Sequence, residues 1–140
     1  MSLHGTLRYM DADVDSSLAT AWRELLARHA AVSCALERAL QERHELGMSE
    51  YQVLEVLVEA GAESLRAQAL GESVYLSQSA LSRVVGRLEK AGLVTRGMCA
   101  EDRRGIYVQP TEAGRARYAQ ARPTQRAVLA RTLSEAPAPG

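Results

Sequence analysis

The residues best suited to chemistry lie between Ser77 and Lys90, and that chemistry is recognition of a polyanion. With Leu81 at zero and a step of about 100° per residue, Leu81, Val84, Val85 and Leu88 share one side of a helix. Ser79, Ser82, Arg83, Gly86 and Lys90 take the other side, with Arg87 on its flank. A small, polar and basic face can slide into a groove and meet phosphates and base edges. Ser77 stands where it caps the helix, leaving Gln78 and Ser79 in the first turn, where free backbone N–H groups favour a phosphate. An ordinary solvated surface helix has the same composition, so the surrounding elements decide between the two.

Catalysis has no comparable cluster. The sequence shows no Ser/His/Asp order, no metal triad, no glycine-rich phosphate loop and no paired carboxylates in an apolar setting. His29 and His44 are fifteen residues apart, which is not a metal-ligand spacing. Neither an enzyme nor a cofactor is expected.

The elements that must position the helix follow from periodicity and punctuation. Residues 1–15 lack a period and end in alternating aspartates, so they are expected to form a flexible arm leading to an N-cap at Ser16 or Ser17. Leu18, Trp22, Leu25, Leu26, His29, Val32, Leu36 and Leu40 then recur at helical spacing to about Arg43. A helix of about 26 residues is roughly 40 Å long, more than a small domain covers, so a second copy of the chain is expected against it. Gly47 breaks it. Ser49 and Gln52 are placed for a capping box, with Met48 stapled onto Val53, and Tyr51, Leu54, Leu57 and Val58 form the buried stripe of the next helix, ended by Gly61.

A short third helix is expected from about Arg66 to Val74, with Tyr75-Leu76 as the turn before Ser77. After Ala91-Gly92, Leu93–Arg96 and Ile106–Gln109 read as two strands around a charged turn. Thr111 caps a fifth helix to about Arg122, Pro123 interrupts, and Thr124–Leu133 forms a last helix before a disordered tail over 135–140. The sum is a mainly α fold with a small antiparallel β-wing: a winged helix-turn-helix over residues 47–110.

Bulk properties agree. At 140 residues this is one domain, and 46% apolar content is that of a folded chain. Net charge is zero, yet residues 1–64 hold 5 Arg against 11 acids, while residues 65–118 hold 9 Lys/Arg against 5 acids. Positive charge therefore concentrates around the helix and wing. The N-terminus is acidic with no apolar run, no stretch is long enough to span a bilayer, and Cys34 and Cys99 are far apart, so a cytoplasmic protein with reduced thiols is expected.

With these residues in view, the chain resembles the MarR family of winged helix-turn-helix transcription regulators. The resemblance runs from about Leu18 to Arg122. It is carried by Leu76-Ser77-Gln78-Ser79-Ala80-Leu81-Ser82-Arg83, by Arg87-Leu88-Glu89-Lys90-Ala91-Gly92-Leu93-Val94, and by Asp102-Arg103-Arg104 with Val108 and Thr111-Glu112-Ala113-Gly114. It implies a sequence-specific double-stranded-DNA-binding repressor, homodimeric on a pseudo-palindromic operator, with dimerisation helices over 16–46 and 111–134. It places the Ser77–Ala91 helix in the major groove and the wing, with Arg96 and Arg103, beside it. Asp102 and Arg104 match the family's wing pair, in which the Asp braces the Arg for the minor groove.

Three departures stand out. Pro110 replaces the usual Leu and should end the second wing strand early, Gly86 occupies an outward helix position usually acidic or polar, and 26 residues after Gly114 are fewer than two substantial helices need. The resemblance also implies release by a small aromatic or phenolic effector, whose candidate lining is Trp22, Leu26, His29, Tyr51 and Leu54, although such a set is commonly plain core. Cys34 reads as a small buried hydrophobe. Cys99, beside Arg96 and Arg103, offers a cysteine-based redox-sensing regulator as an alternative. The other alternative is a winged-helix protein–protein interaction module without its own operator.

Overall fold

The computed structural model describes residues 2–99 and 102–134, with residues 2–11, 99 and 102–104 by their backbone alone. In chain order these form α1 (Ser2–His44), α2 (Met48–Glu59), β1 (Leu65–Arg66), α3 (Ala67–Ser73), α4 (Gln78–Lys90), β2 (Val94–Cys99), β3 (Asp102–Pro110) and α5 (Glu112–Ser134). The strands make one antiparallel sheet in the order β1-β3-β2. The core gathers one side of each helix: Leu36 and Leu40 of α1, Tyr51, Leu54 and Leu57 of α2, the apolar side of α4, and Tyr118, Ala121 and Val128 of α5, closed by Val94 and Val108 of the sheet. No helix among the described residues is long and apolar enough to cross a membrane.

Several elements differ from the sequence expectations, each for a physical reason. Residues 2–15 are not an arm: α1 is one helix of 43 residues, about 65 Å at 1.5 Å per residue, and neither Ser16 nor Ser17 starts it. That stretch has no proline, and Gly5 alone costs only about 1 kcal/mol relative to Ala. The Ser49/Gln52 capping box is also replaced. α2 begins at Met48, and the Glu37 carboxylate of α1 accepts the Met48 N–H at 2.8 Å, a cap supplied from eleven residues away. Val53 is buried, whereas Val58 is half-buried.

Pro123 does not divide α5, which is a single 23-residue helix. A proline forfeits one backbone bond, but Ala121, Gln125 and Val128 are buried on either side of it, and Thr124 and His44 share a 2.7 Å hydrogen bond that ties the same stretch to α1. The third helix starts at Ala67 because Leu65 and Arg66 pair instead with Val108 and Tyr107, adding a strand to the expected two-stranded wing. Both wing strands are longer than expected, and β3 does not stop early: Pro110 lies in register with Val94. β1 reaches no further than Val108, so at Pro110 the strand has a neighbour on one side only, where a missing donor is tolerated.

Two close approaches set the base of the wing and the turn before α4. Thr111 caps α5, its hydroxyl accepting the Gly114 N–H at 3.0 Å and donating to the Gly92 carbonyl at 2.7 Å. Gly114 lies so near the Leu93 carbonyl that a Cβ there would overlap it. At Gly71 a Cβ would sit 2.5 Å from Gln78 Nε2 and 3.2 Å from the Leu76 carbonyl, so the absence of a side chain lets the turn close tightly over α3.

Candidate nucleic-acid interface

α4 is positioned by both of its faces. Leu81, Val84, Val85 and Leu88 are all buried, as their spacing predicts, and Ser77 caps the helix, its hydroxyl accepting the Ala80 N–H at 3.2 Å. Ser79, Ser82, Arg83 and Lys90 stand exposed on the far side. Neither Arg83 nor Lys90 has an ion-pair partner among the described residues, so both charges are available to a ligand. Gln78 is exposed at the first turn, but its amide leans over Gly71.

The other two basic side chains are already engaged. Arg87 approaches Glu50 of α2 at 3.5 Å, so the pair links α4 to the helix behind it. Arg96 of β2 directs Nε and Nη2 at one Glu89 oxygen, at 3.3 and 3.0 Å. That clamp ties the wing to α4 and makes Arg96 a brace for the angle between them. Between the same two elements opens a cavity of about 230 Å³, with Gln78, Ser82 and Arg96 on its polar side and Leu81, Val85 and Ile106 on its apolar side. The expected minor-groove pair, Asp102 and Arg104, and with it Arg103 and Cys99, has side chains outside the described residues.

Gly86 faces outward, and a Cβ there would meet nothing within 4 Å, so the folded chain itself does not require a glycine.

The candidate effector residues are not gathered by the single chain. Trp22, Leu26 and His29 are exposed on α1, while Tyr51 is sealed in the core against Tyr118, ring centroids 5.5 Å apart. Leu54 is fully buried beside it. Cys34 is exposed rather than buried, because it falls off the Leu36–Leu40 side of α1. No cluster of metal-ligating side chains occurs among the described residues.

A feature missed from the sequence joins α2 to α5. Tyr51 donates to Glu55 at 3.2 Å, and Arg126 meets the same carboxylate at 3.0 Å. Tyr118 donates to Glu59, which Arg122 approaches at 3.8 Å. Burial pushes the Tyr51 phenol well above the usual tyrosine range, with the Glu55 charge adding to it, and burial and the bond to Glu59 raise Tyr118 as well. Both phenols stay neutral, so what they contribute is present below the ordinary value of 10.0 and is lost as the solution becomes more alkaline. The signal was legible in principle: Tyr51/Glu55/Glu59 and Tyr118/Arg122/Arg126 are each a row spaced by four, one acidic and one basic.

Comparison with known proteins agrees with this geometry. A sequence profile of the MarR family matches residues 44–105. The solved structure of AbsC, a MarR family transcriptional regulator from Streptomyces coelicolor, is 32% identical and superimposes with a TM-score of 0.77 over 86% of this chain and 81% of AbsC. The chain belongs to the MarR family. Sco3205, another family member from Streptomyces coelicolor, solved in complex with DNA, is 26% identical with a TM-score of 0.80 over 89% of this chain and 78% of its own. Among curated MarR-like relatives, the HTH-type transcriptional regulator MhqR of Bacillus subtilis is 35% identical over 72 residues, which are 51% of this chain and 48% of MhqR. The chain thus matches about half the length of that relative.

Proposed function

We propose that this chain is a sequence-specific double-stranded-DNA-binding transcription regulator, a repressor that acts as a homodimer on a pseudo-palindromic operator. The observation that carries the reading is α4: its apolar side is spent entirely on the core, and its outward side presents Ser79, Ser82, Arg83 and Lys90 next to a braced wing. In this reading α4 enters the major groove, where Arg83 meets base edges or phosphates, and Arg104, held by Asp102, enters the flanking minor groove. The family membership and the DNA-bound Sco3205 structure support it.

Homodimerisation is supported by α1, whose Leu18, Trp22, Leu25 and Leu26 are about half or more exposed at helical spacing. Two copies joined there present two α4 helices, as an operator of two half-sites about one helical turn apart requires. Release by a small aromatic or phenolic effector stays outside this proposal, since Trp22, Leu26 and His29 are exposed and Tyr51 is sealed.

A mobility-shift titration with DNA from upstream of the chain's own gene tests the reading. We expect specific binding that weakens linearly in log–log plots against salt, and an Arg104→Ala loss concentrated on A·T-rich flanks. Binding indifferent to sequence, or none at moderate salt, would overturn the operator claim and leave a protein-interaction module as the better reading.

A further inference from the structure

We propose that Tyr75, in the turn before α4, is a direct contact to the DNA backbone, its phenol reaching a phosphate next to the one met by the first turn of α4. The inference rests on the DNA-binding reading above and adds to it a residue that neither the helix face nor the wing contains. Three observations carry it. Tyr75 has φ +57°, in the left-handed region that bulky side chains rarely adopt. It is 94% exposed, against 64% for Leu18, the next most exposed large apolar residue among the described residues. It is also held in that state: the Leu76 N–H reaches the Gly71 carbonyl at 3.0 Å, the Tyr75 N–H reaches Glu72 at 3.4 Å, and Val74 before it is buried.

This is the usual helix-ending arrangement in which glycine fits best at the left-handed position. Gly61 and Gly92 fill the equivalent positions after α2 and α4. Glu45, after α1, is the other non-glycine residue of this kind among the described residues, and it is an exposed polar side chain. At position 75 the chain accepts both backbone strain and an unburied ring, neither of which helps it fold. Strain kept against the interest of folding marks a site where the side chain acts on something else. What lies nearby says what: Ser77 is two residues on, at most about 8 Å at 3.8 Å per residue, and begins the first turn of α4. The close approach at Gly71 brings the Leu76 carbonyl against α3 beside Gln78 and Leu81 of α4, so Tyr75 sits at the entry to α4. A phenol hydroxyl donates well to an anionic oxygen, and its ring can lie against the sugar.

A neutral hydrogen-bond donor has a distinctive signature. It weakens binding to operator and random DNA alike, since phosphates carry no sequence. It leaves the salt slope unchanged, since no counterion is exchanged through it. We therefore expect Tyr75→Gly to raise the unfolding midpoint by about 2–6 °C while weakening binding to both DNAs about tenfold with the wild-type salt slope. Tyr75→Asn, which tolerates the left-handed backbone, should reproduce the affinity loss and so exclude loop flexibility as its cause. Tyr75→Phe should recover the part contributed by the ring.

Wild-type affinity in Tyr75→Gly and Tyr75→Asn overturns the inference while leaving the regulator reading intact. So does a loss of affinity that tracks a change in oligomeric state in sedimentation, which would make the ring a protein contact. If the wild-type chain itself binds no DNA, the regulator reading falls and this inference falls with it.

Discussion

α4 and the first half of α1 carry the same kind of pattern and meet opposite fates. Both repeat apolar residues at three- and four-residue spacing. In α4 every member of the set is buried by the chain that carries it, whereas in α1 Leu18 and Trp22 remain 64% and 59% exposed. A periodic apolar stripe therefore reports that a face will be covered and not by what. α4 is short and sits among α2, α3 and the sheet, so its own domain completes it. α1 extends well past the elements that pack on its C-terminal half, so its leading half is completed, in the homodimer reading, by another molecule. In that reading one stripe stabilises folding and the other association.

Substitutions that exchange those roles test the contrast. The largest effect is expected in α4: Leu88→Ala removes a fully buried side chain and should lower the unfolding free energy by about 2–5 kcal/mol, read by chemical denaturation. Next is Trp22→Glu on α1. It should leave the stability of the single chain within about 0.5 kcal/mol yet raise the dimer dissociation constant on the order of 100-fold, as loss of an aromatic anchor does. Sedimentation showing an unchanged dimer would remove Trp22 from the interface.

Gly86→Ala tests the outward side of α4. With open space around the new methyl group, it should stabilise the helix by about 1 kcal/mol in thermal unfolding, while any loss of operator affinity would locate a close approach of DNA there. A small effect on folding is also expected for Glu89→Ala, which unclamps Arg96 at an exposed pair and should cost less than about 1 kcal/mol. The same change frees a cation beside α4 and should steepen the salt dependence of DNA binding by about one unit of slope. An unchanged slope would show that Arg96 acts only as a brace.

These contrasts also mark how far the sequence could be read. The apolar side of α4, its Ser77 cap, the Thr111 cap of α5 and the order of helix, turn, helix and wing all follow from short-range rules, and the structure has them where the spacing puts them. Apart from the longer α1, the misplaced elements share a cause, since each depends on a partner distant in sequence. Glu37 caps α2 from α1, Leu65–Arg66 becomes a strand only because β3 lies beside it, and α5 stays whole through Pro123 because His44 of α1 holds Arg117 before it and Thr124 after it. At the candidate site, the exposure of Ser79, Ser82, Arg83 and Lys90 was legible, while the engagement of Arg87 and Arg96 was not, because their carboxylates come from other elements.

By itself, then, the sequence determined the fold class, the capped amphipathic α4 and the family resemblance, because periodicity, caps and turn residues act within a few residues of one another. Only the tertiary structure decided which basic side chains stay free, how the α2–α5 tyrosines are held and which stripe remains bare. Those are outcomes of packing and of charge pairing across elements, and their free energies exist only once distant segments meet.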